Sequence, residues 1–307
     1  MRVLERVFME TINRESLLCG ESKVTAAVSG GADSVAMLHL LNRFASSRGW
    51  CIDVLHINHR LRPDSDRDEL FVSRLAEQMG LPFRSVHPES DQSGSMESRW
   101  SSIRQRVYNQ QPGIVALAHS ASDRAETVLL RLFEGSGLRG LGGMDYKGLG
   151  PVQRPLLDMQ NTEIRNWLKE KNYEWIEDSS NRNTDISRNK LRLAVMPVLQ
   201  QNFPEAIPGI CRSGALLSRW RDLQDQLGMM SEGNSVTRKE LLEIPCVLGA
   251  LTLWQMAGRP RSGFEEFTKT MDWLSRGGNG THLLPGGKRL VAEDELITVE
   301  IRGPGRF

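Results

Sequence analysis

The first half of the chain alternates between two patterns of hydrophobic positions. Short continuous apolar runs, typical of buried strands, are each followed by a longer segment whose apolar residues recur at helical spacing. The predicted strands cover 24–28, 51–57, 82–87 and 113–119, and the predicted helices cover 34–47, 65–79, 97–110 and 121–134. This alternation predicts an α/β fold with a doubly wound, mainly parallel sheet, preceded by a short N-terminal helix.

The pattern changes in the second half. Helices are predicted at 162–171, 188–200 and 214–227, with Pro204 and Pro208 interrupting the chain between the last two. The segment 235–273 has a helical pattern, and short strands follow around Pro285-Gly286-Gly287. We therefore predict a first domain with a helical extension over residues 1–210 and a small α+β module over residues 211–307.

Composition narrows the class of protein without identifying it. The 307 residues carry a formal net charge of +1, so any polyanionic partner has to be bound by a local patch. The four cysteines are scattered, which argues against a zinc knuckle, an iron–sulfur site or a disulfide framework. Neither a secretory leader nor an apolar run of transmembrane length is visible, so a cytoplasmic protein without a membrane partner is expected.

The loop after the first predicted strand is the most informative segment. It reads Ser29-Gly30-Gly31-Ala32-Asp33-Ser34 and opens a helix. Adjacent glycines let a ligand approach the backbone, and a helix N-terminus offers unpaired N–H groups to an anion. Asp33 would repel phosphates unless a divalent cation bridged them, so we infer Mg²⁺. The loop has no lysine, which excludes a Walker-type site, and a capped turn is an equally good interpretation of the loop alone.

Polar residues also follow two other predicted strands. His56, Asn58 and His59 lie at the end of the second strand, and His119 lies at the end of the fourth. Ligands of open α/β sheets bind beyond the carboxyl ends of strands, so these side chains are candidates for contacting a nucleotide or transferring protons. A hydrogen-bonded structural role is the commoner one for an isolated histidine.

Asp123 and Glu126 lie three residues apart in the first turn of a predicted helix, just beyond His119. Their carboxylates project from one face of the helix and could bind a cationic amine. An Asp-x-x-Glu pair is also a capping box, and acids in a first turn stabilise the helix dipole. The residues alone favour capping.

Two further segments leave alternatives open. Arg182, Arg188, Lys190 and Arg192 form a basic segment that suits phosphates, although a solvated helix face is its default interpretation. The glycine-rich stretch 135–143 is predicted to be a mobile loop without regular helix, either a lid or a simple connector.

Taken together, these motifs identify a resemblance. The chain resembles the tRNA(Ile)-lysidine synthases, a family of PP-loop ATP pyrophosphatases, over essentially its full length. The matching segments are the loop 29–34, His56 to Arg62, the block from Ala118 to Met144, Arg154-Pro155-Leu156-Leu157, Glu177 to Asn181, and Arg188-Asn189-Lys190-Leu191-Arg192 with Pro197. The loop alone indicates the superfamily, whereas the central block and the later segments are typical of this family.

The resemblance implies a role for each candidate residue. Ser29, Gly30, Gly31, Ala32, Asp33, Ser34 and His56 would bind ATP, with Mg²⁺ on Asp33. Asp123 and Glu126 would receive free L-lysine, which reverses the preference for capping. Asp33, His119 and Arg188 would be catalytic, and Arg104, Arg182 and Arg192 would lie near RNA. In such enzymes ATP adenylates O2 of the wobble cytidine in isoleucine tRNA with a CAU anticodon, and the lysine ε-amine then attacks C2. Monomer and homodimer stay open.

The chain departs from the family pattern at two places. Ser122 stands where an aspartate is usual, and Ser101 takes the first arginine position of a helix in which Arg104 takes the second, with Arg99 as a candidate substitute. The alternatives are a PP-loop tRNA base thiolase, a small-molecule amide ligase, and a nucleotide-sensing protein that binds ATP without releasing pyrophosphate.

Overall fold

The computed structural model of the protein describes residues 3–20, 23–58, 65–88, 96–177, 187–228, 234–258, 260 and 263–301. The chain forms two compact units, Met1–Ser218 and Arg219–Phe307. The division falls within a helix that spans Ala206–Gly228. The domain boundary at residue 210 stays a prediction.

The first unit alternates strands and helices through most of its length. Its strands are β1 (Lys23–Ala27), β2 (Cys51–Ile57), β3 (Phe83–Val86), β4 (Ile114–Ala116) and β5 (Val152–Gln153). Its helices are α1 (Val3–Arg14), α2 (Ala32–Arg48), α3 (Ser65–Gln78), α4 (Met96–Asn109), α5 (Ala121–Phe133), α6 (Leu138–Leu141), α7 (Asn161–Glu170), α8 (Ser187–Lys190), a π-helical turn (Leu191–Val195), α9 (Met196–Asn202) and α10 (Ala206–Gly228).

The five strands form one parallel sheet in the order β3-β2-β1-β4-β5. The predicted parallel α/β fold is therefore confirmed. Strand β5 was missed because two residues carry no periodic signal of their own. The chain runs from β1 to β2 on one side and later returns to β4 on the other side, so the strand order reverses between β1 and β4. Open sheets bind ligands at such a reversal.

Helix α2 fixes the position of the loop that precedes it. Val35, Met37, Leu38, Leu40 and Leu41 have no exposed surface, so the helix is buried on most of its circumference against the sheet and its neighbours. Its C-terminus is closed by a glycine in the left-handed region, whose N–H donates to the last turn. Its N-terminus has no side-chain cap, so no side chain of the N-cap residue accepts a hydrogen bond from the first N–H groups of the helix, which face the loop.

Three local predictions are corrected by the structure. The glycine-rich stretch contains one helical turn, α6, which begins where the N–H of Gly140 reaches the carbonyl of Gly137 at 2.9 Å. The predicted helix 188–200 contains a π-helical turn. Pro208 does not interrupt the chain but lies in the first turn of α10, where its missing N–H would have no partner in the helix.

The second unit is a small α+β module, as predicted. Its elements are β6 (Ser235–Thr237), α11 (Arg238–Glu243), α12 (Cys246–Met256), α13 (Phe264–Ser275), β7 (Gly280–Leu284), β8 (Lys288–Ala292) and β9 (Leu296–Ile301). The four strands form an antiparallel sheet in the order β6-β9-β8-β7. Leu253, Phe267 and Leu290 lie in its core. Strand β6 falls in a segment predicted to be helical, because its pairing with β9 is not a local property.

No helix in the part of the chain that the structure describes is long and apolar enough to cross a bilayer.

Candidate active site

The loop after β1 is held in shape by its own serines. The Ser29 N–H donates to Ser34 Oγ at 3.2 Å, the two hydroxyls lie 3.2 Å apart, and the Ser34 hydroxyl donates to the carbonyl of Gly31 at 2.9 Å. These hydrogen bonds within the loop hold its backbone in the shape of the turn. Ser29 and Ser34 support the backbone conformation as well as offering hydroxyls, which combines the two interpretations that the sequence allowed.

Gly30 is where the loop needs glycine. Its φ of +95° lies in a region that other residues rarely adopt, and a Cβ there would lie 3.0 Å from the Ile176 side chain. The carbonyl of Gly30 accepts a hydrogen bond of 2.9 Å from the N–H of Ile176. The segment 173–177 therefore supports the loop from outside the sheet, and it borders an open cleft of about 670 Å³ with Arg67 and Phe71 of α3.

Gly30→Ala should weaken nucleotide binding and lower the free energy of unfolding by about 1–3 kcal/mol, the usual cost of an unfavourable backbone conformation. Gly20→Ala is the matched control, because Gly20 has a φ of +79° with nothing within 4 Å of the added Cβ. Thermal melts with and without ATP provide the measurement. Equal losses of stability and of ATP-induced stabilisation in both variants would contradict a role for the Ile176 contact.

Asp33 is the electrostatically unusual residue of the loop. Its Oδ1 is buried and has no hydrogen-bond partner within the described structure. Burial, together with the charges of Asp123 and Glu126, raises the pKa of Asp33 to about 7, against the opposing charges of Arg165 and Arg192. A buried oxygen without a partner is costly and needs an explanation. It is available to a cation.

His56 and Asn58 both contact protein groups. His56 is 4% exposed, and its Nδ1 lies 2.8 Å from the carbonyl of Val28, so it orients the residue just before the loop. The Asn58 side-chain amide donates to Glu69 at 2.7 Å and to Asp66 at 3.2 Å, which ties the end of β2 to α3. His59 to Arg62 lie outside the described residues.

Asp123 caps α5 and also reaches into the site. Its Oδ2 accepts from the N–H of Ser120 at 2.9 Å and from the Ser120 hydroxyl at 2.8 Å, which completes a capping box. Its Oδ1 accepts from Arg192 at 2.8 Å. Burial alone would raise the pKa of Asp123, but hydrogen bonds from Ser120 and the charge of Arg192 hold it below its ordinary value. The capping box pairs Asp123 with Ser120 and not with Glu126.

Glu126 is 2% exposed, and two arginines form hydrogen-bonded ion pairs with its carboxylate. Arg192 donates to Oε1 at 2.7 Å and to Oε2 at 2.8 Å, and Arg188 donates to Oε2 at 3.2 Å. One Arg192 nitrogen also reaches Asp123, so a single guanidinium bridges both carboxylates. The pair of acids thus holds a cation in this structure. The predicted contact of Arg192 with RNA stays a prediction, and the described contacts of Arg192 are with these acids.

Arg188 is fixed by more than Glu126. It donates to the Thr127 hydroxyl at 2.8 Å and to the carbonyl of Asp123 at 3.2 Å. Arg188 and Arg192 are four residues apart and so share a helix face, just as Asp123 and Glu126 share one. The acids are three residues apart and the arginines four, and these two complementary spacings were the signal in the sequence that could have predicted that the arginines pair with the acids.

His119 follows β4 and is surrounded by arginines. Arg154, after β5, donates from Nε to His119 Nδ1 at 3.2 Å. Burial, with the charges of Arg154, Arg188 and Arg104, lowers the pKa of His119 to about 4 against the opposing effect of Asp123. Arg104 of α4 therefore lies within electrostatic reach of the site, whereas Arg182 lies outside the described residues.

Two further residues lie near the site, and the first of them, Arg165, was missed by the sequence analysis. Arg165 of α7 forms an ion pair with Glu177 and is close enough to Asp33 to lower its pKa. Ser122, which replaces the usual aspartate, accepts a hydrogen bond of 3.2 Å from the N–H of Asn161 and so joins the starts of α5 and α7. No motif marks Arg165, because its position depends on how α7 packs.

The fold and the site together define a PP-loop nucleotide-binding protein. A family model for the PP-loop domain matches residues 3–199, and the chain belongs to this family. It is 37% identical to the tRNA(Ile)-lysidine synthase of Azoarcus sp. (strain BH72) over 251 residues, which are 77% of this chain and 56% of that protein. It is 32% identical to the tRNA(Ile)-lysidine synthase of Clostridioides difficile (strain 630) over 206 residues, which are 64% of this chain and 45% of that protein. The chain spans about half the length of these curated relatives.

Among solved structures, the U34-tRNA thiolase from Methanococcus maripaludis with its 4Fe-4S cluster superimposes with a TM-score of 0.59. The match covers 70% of this chain and 78% of that chain at 20% sequence identity. At this identity the likeness shows the shared fold alone. In the described part of the present chain, no group of three or more His, Cys, Asp or Glu residues is placed to hold a metal ion.

Proposed function

We propose that this chain carries the catalytic site of an ATP-dependent ligase that joins L-lysine to C2 of the wobble cytidine in isoleucine tRNA with a CAU anticodon, releasing AMP and pyrophosphate. One observation supports it most: Asp33 of the phosphate loop is electrostatically coupled to Asp123 and Glu126, the acids that hold a cation. The loop that would bind phosphates and the acids that would bind an ammonium group therefore lie close enough together to serve one reaction. The named relatives support the same activity. We expect the protein to act in the cytoplasm, where its substrates are present.

In the first step, O2 of the cytidine attacks the α-phosphorus of ATP, and the bond to the pyrophosphate oxygen breaks. The loop 29–34 and the uncapped N-terminus of α2 would bind the phosphates. Arg188 and the ring of His119 would stabilise charge on the α-phosphate oxygens. Holding the base and the phosphorus together removes much of the entropic part of the barrier.

Mg²⁺ fits the residues of the loop. Mg²⁺ is commonly held by one or two carboxylates together with substrate phosphates, and Asp33 offers a buried oxygen without a partner. When bound, the ion would neutralise charge on the departing pyrophosphate. Asp33 is the residue that we assign to it.

In the second step, the lysine ε-ammonium first passes a proton to a carboxylate of the site or to water, the resulting amine attacks C2, the C2–O bond breaks, and AMP leaves with that oxygen. The ε-ammonium would bind between Asp123 and Glu126, which requires Arg192 to give up at least part of its hold on them. Two carboxylates that already bind one cation have the charge and geometry to bind another. The RNA has to bring its wobble base to this site, and it would be faced there by Arg104, Arg182 and Arg192.

The test incubates the protein with ATP, Mg²⁺, labelled lysine and isoleucine tRNA with a CAU anticodon. We expect label in the RNA together with one pyrophosphate released for each lysine incorporated. Isoleucine tRNA with a GAU anticodon is the matched control and should stay unlabelled. Pyrophosphate release with a small acid and no RNA would favour an amide ligase, and sulfur incorporation would favour a thiolase. ATP binding without pyrophosphate release would favour a nucleotide sensor, and each of these outcomes contradicts the proposal.

A further inference from the structure

The Arg154 guanidinium makes one hydrogen bond to His119 and a second one that holds it in place. Its Nε donates to His119 Nδ1 at 3.2 Å, and its Nη1 donates to the carbonyl of Asp145 at 2.8 Å. Arg154 directly follows β5 and His119 follows β4, and these strands are neighbours in the parallel sheet. The contact therefore joins two adjacent strand ends at the edge where the site lies.

The direction of this hydrogen bond determines which ring nitrogen carries a proton. A guanidinium can only donate, so Nδ1 of His119 has to accept. A neutral imidazole that accepts at one nitrogen carries its hydrogen on the other. The low pKa of His119 keeps the ring neutral at pH 7, and the charged groups around it are Asp123 of α5, Arg154 after β5, Arg188 of α8 and Arg104 of α4.

We propose that Arg154 is a positioning residue that locks His119 in the Nε2–H tautomer, so that His119 acts on the ligand as an uncharged hydrogen-bond donor and not as a base. A donor in this state stabilises negative charge on a ligand oxygen without a change of its own protonation. The identity of that oxygen rests on the proposed function, where it belongs to the α-phosphate. The tautomer is a property of the protein without ligand.

The first test is heteronuclear NMR of the histidine rings in the free protein, with the His119 signals identified by their loss in His119→Gln. We expect Nε2 protonated and Nδ1 unprotonated from about pH 5 to 8, the range over which an unperturbed histidine changes charge. A proton on Nδ1 in the wild-type protein would overturn the proposal without the need for any variant.

Two arginine variants separate the hydrogen bond from the charge. Arg154→Leu removes both, so we expect a mixture of tautomers and a higher pKa for His119. Arg104→Leu removes a charge that also lowers the pKa of His119, so the pKa should rise while the ring stays in the Nε2–H form. An unchanged tautomer in Arg154→Leu would contradict the proposal. Should that variant not fold, Arg154→Gln replaces the guanidinium with an amide that can either donate or accept, so the Nε2–H form should no longer be exclusive, and an exclusive Nε2–H form in that variant would contradict the proposal.

Kinetics provide the second readout. In Arg154→Leu we expect kcat for pyrophosphate release to fall about ten-fold, the lower end of the effect of losing a partner that orients a histidine ring, with little change in the KM for ATP. The pH profile of the variant should gain an ionisation that the wild-type profile lacks. If the protein fails to transfer lysine but gives the expected NMR result, the proposed function is contradicted and the inference about the tautomer is retained.

Discussion

Asp33→Asn should abolish pyrophosphate release, with kcat falling by at least about 1000-fold. Removing one group that stabilises developing charge costs about 10²–10³ in kcat, and Asp33 would also anchor the ion on the leaving group. The measurement is pyrophosphate release under saturating ATP, Mg²⁺ and tRNA. Retention of more than a tenth of the wild-type rate would remove Asp33 from the metal site.

The same substitution should leave the protein as stable as before or more stable. The pKa of about 7 in the folded protein lies above the ordinary value of 3.8 for an aspartate, so ionising Asp33 costs folding free energy as pH rises from about 4 to 7. Asparagine lacks that charge. The gain in melting temperature, measured in the presence of a chelator, should therefore be largest above pH 7 and vanish below about pH 4. Added Mg²⁺ should raise the melting temperature of the wild type only. A destabilised Asp33→Asn would mean that lost activity reflects a damaged fold.

Glu126→Gln should raise the KM for lysine by at least about 30-fold while leaving the adenylation step largely intact. Removing one partner of a buried, hydrogen-bonded charge pair costs about 2–5 kcal/mol, and the lower figure corresponds to this change. Pyrophosphate release measured without lysine isolates the adenylation step. An unchanged KM for lysine would exclude Glu126 from the ammonium site.

The stability of Glu126→Gln should change in the direction opposite to that of Asp33→Asn. Glu126 accepts hydrogen bonds from both Arg188 and Arg192, and a neutral side chain leaves their buried charges less compensated. The matched control is Glu163→Gln, because Glu163 sits in the capping box of α7 and accepts from the N–H of Gln160. That variant should affect stability only slightly and leave the KM for lysine unchanged.

Local sequence determined the alternation of strands β1 to β4 with helices α2 to α5, and it placed the loop from Ser29 to Ser34 between the first strand and its helix. Buried strands and amphipathic helices have their own periodicities, and a glycine pair between a strand and a helix marks a tight turn whose backbone a ligand can approach. The secondary structure of the segment 235–273 was harder to predict, because strand β6 exists only through its pairing with β9.

The site itself was decided by tertiary structure. The sequence placed Asp123 and Glu126 on one helix face and Arg188 and Arg192 on another, but only packing brought one guanidinium across both carboxylates. Only packing also buried Asp33 next to that pair and set Arg154 against Nδ1 of His119. Spacing along a helix fixes which side chains share a face, whereas the pKa of a group and the partner of an arginine depend on the charges and the loss of water that distant segments bring to it.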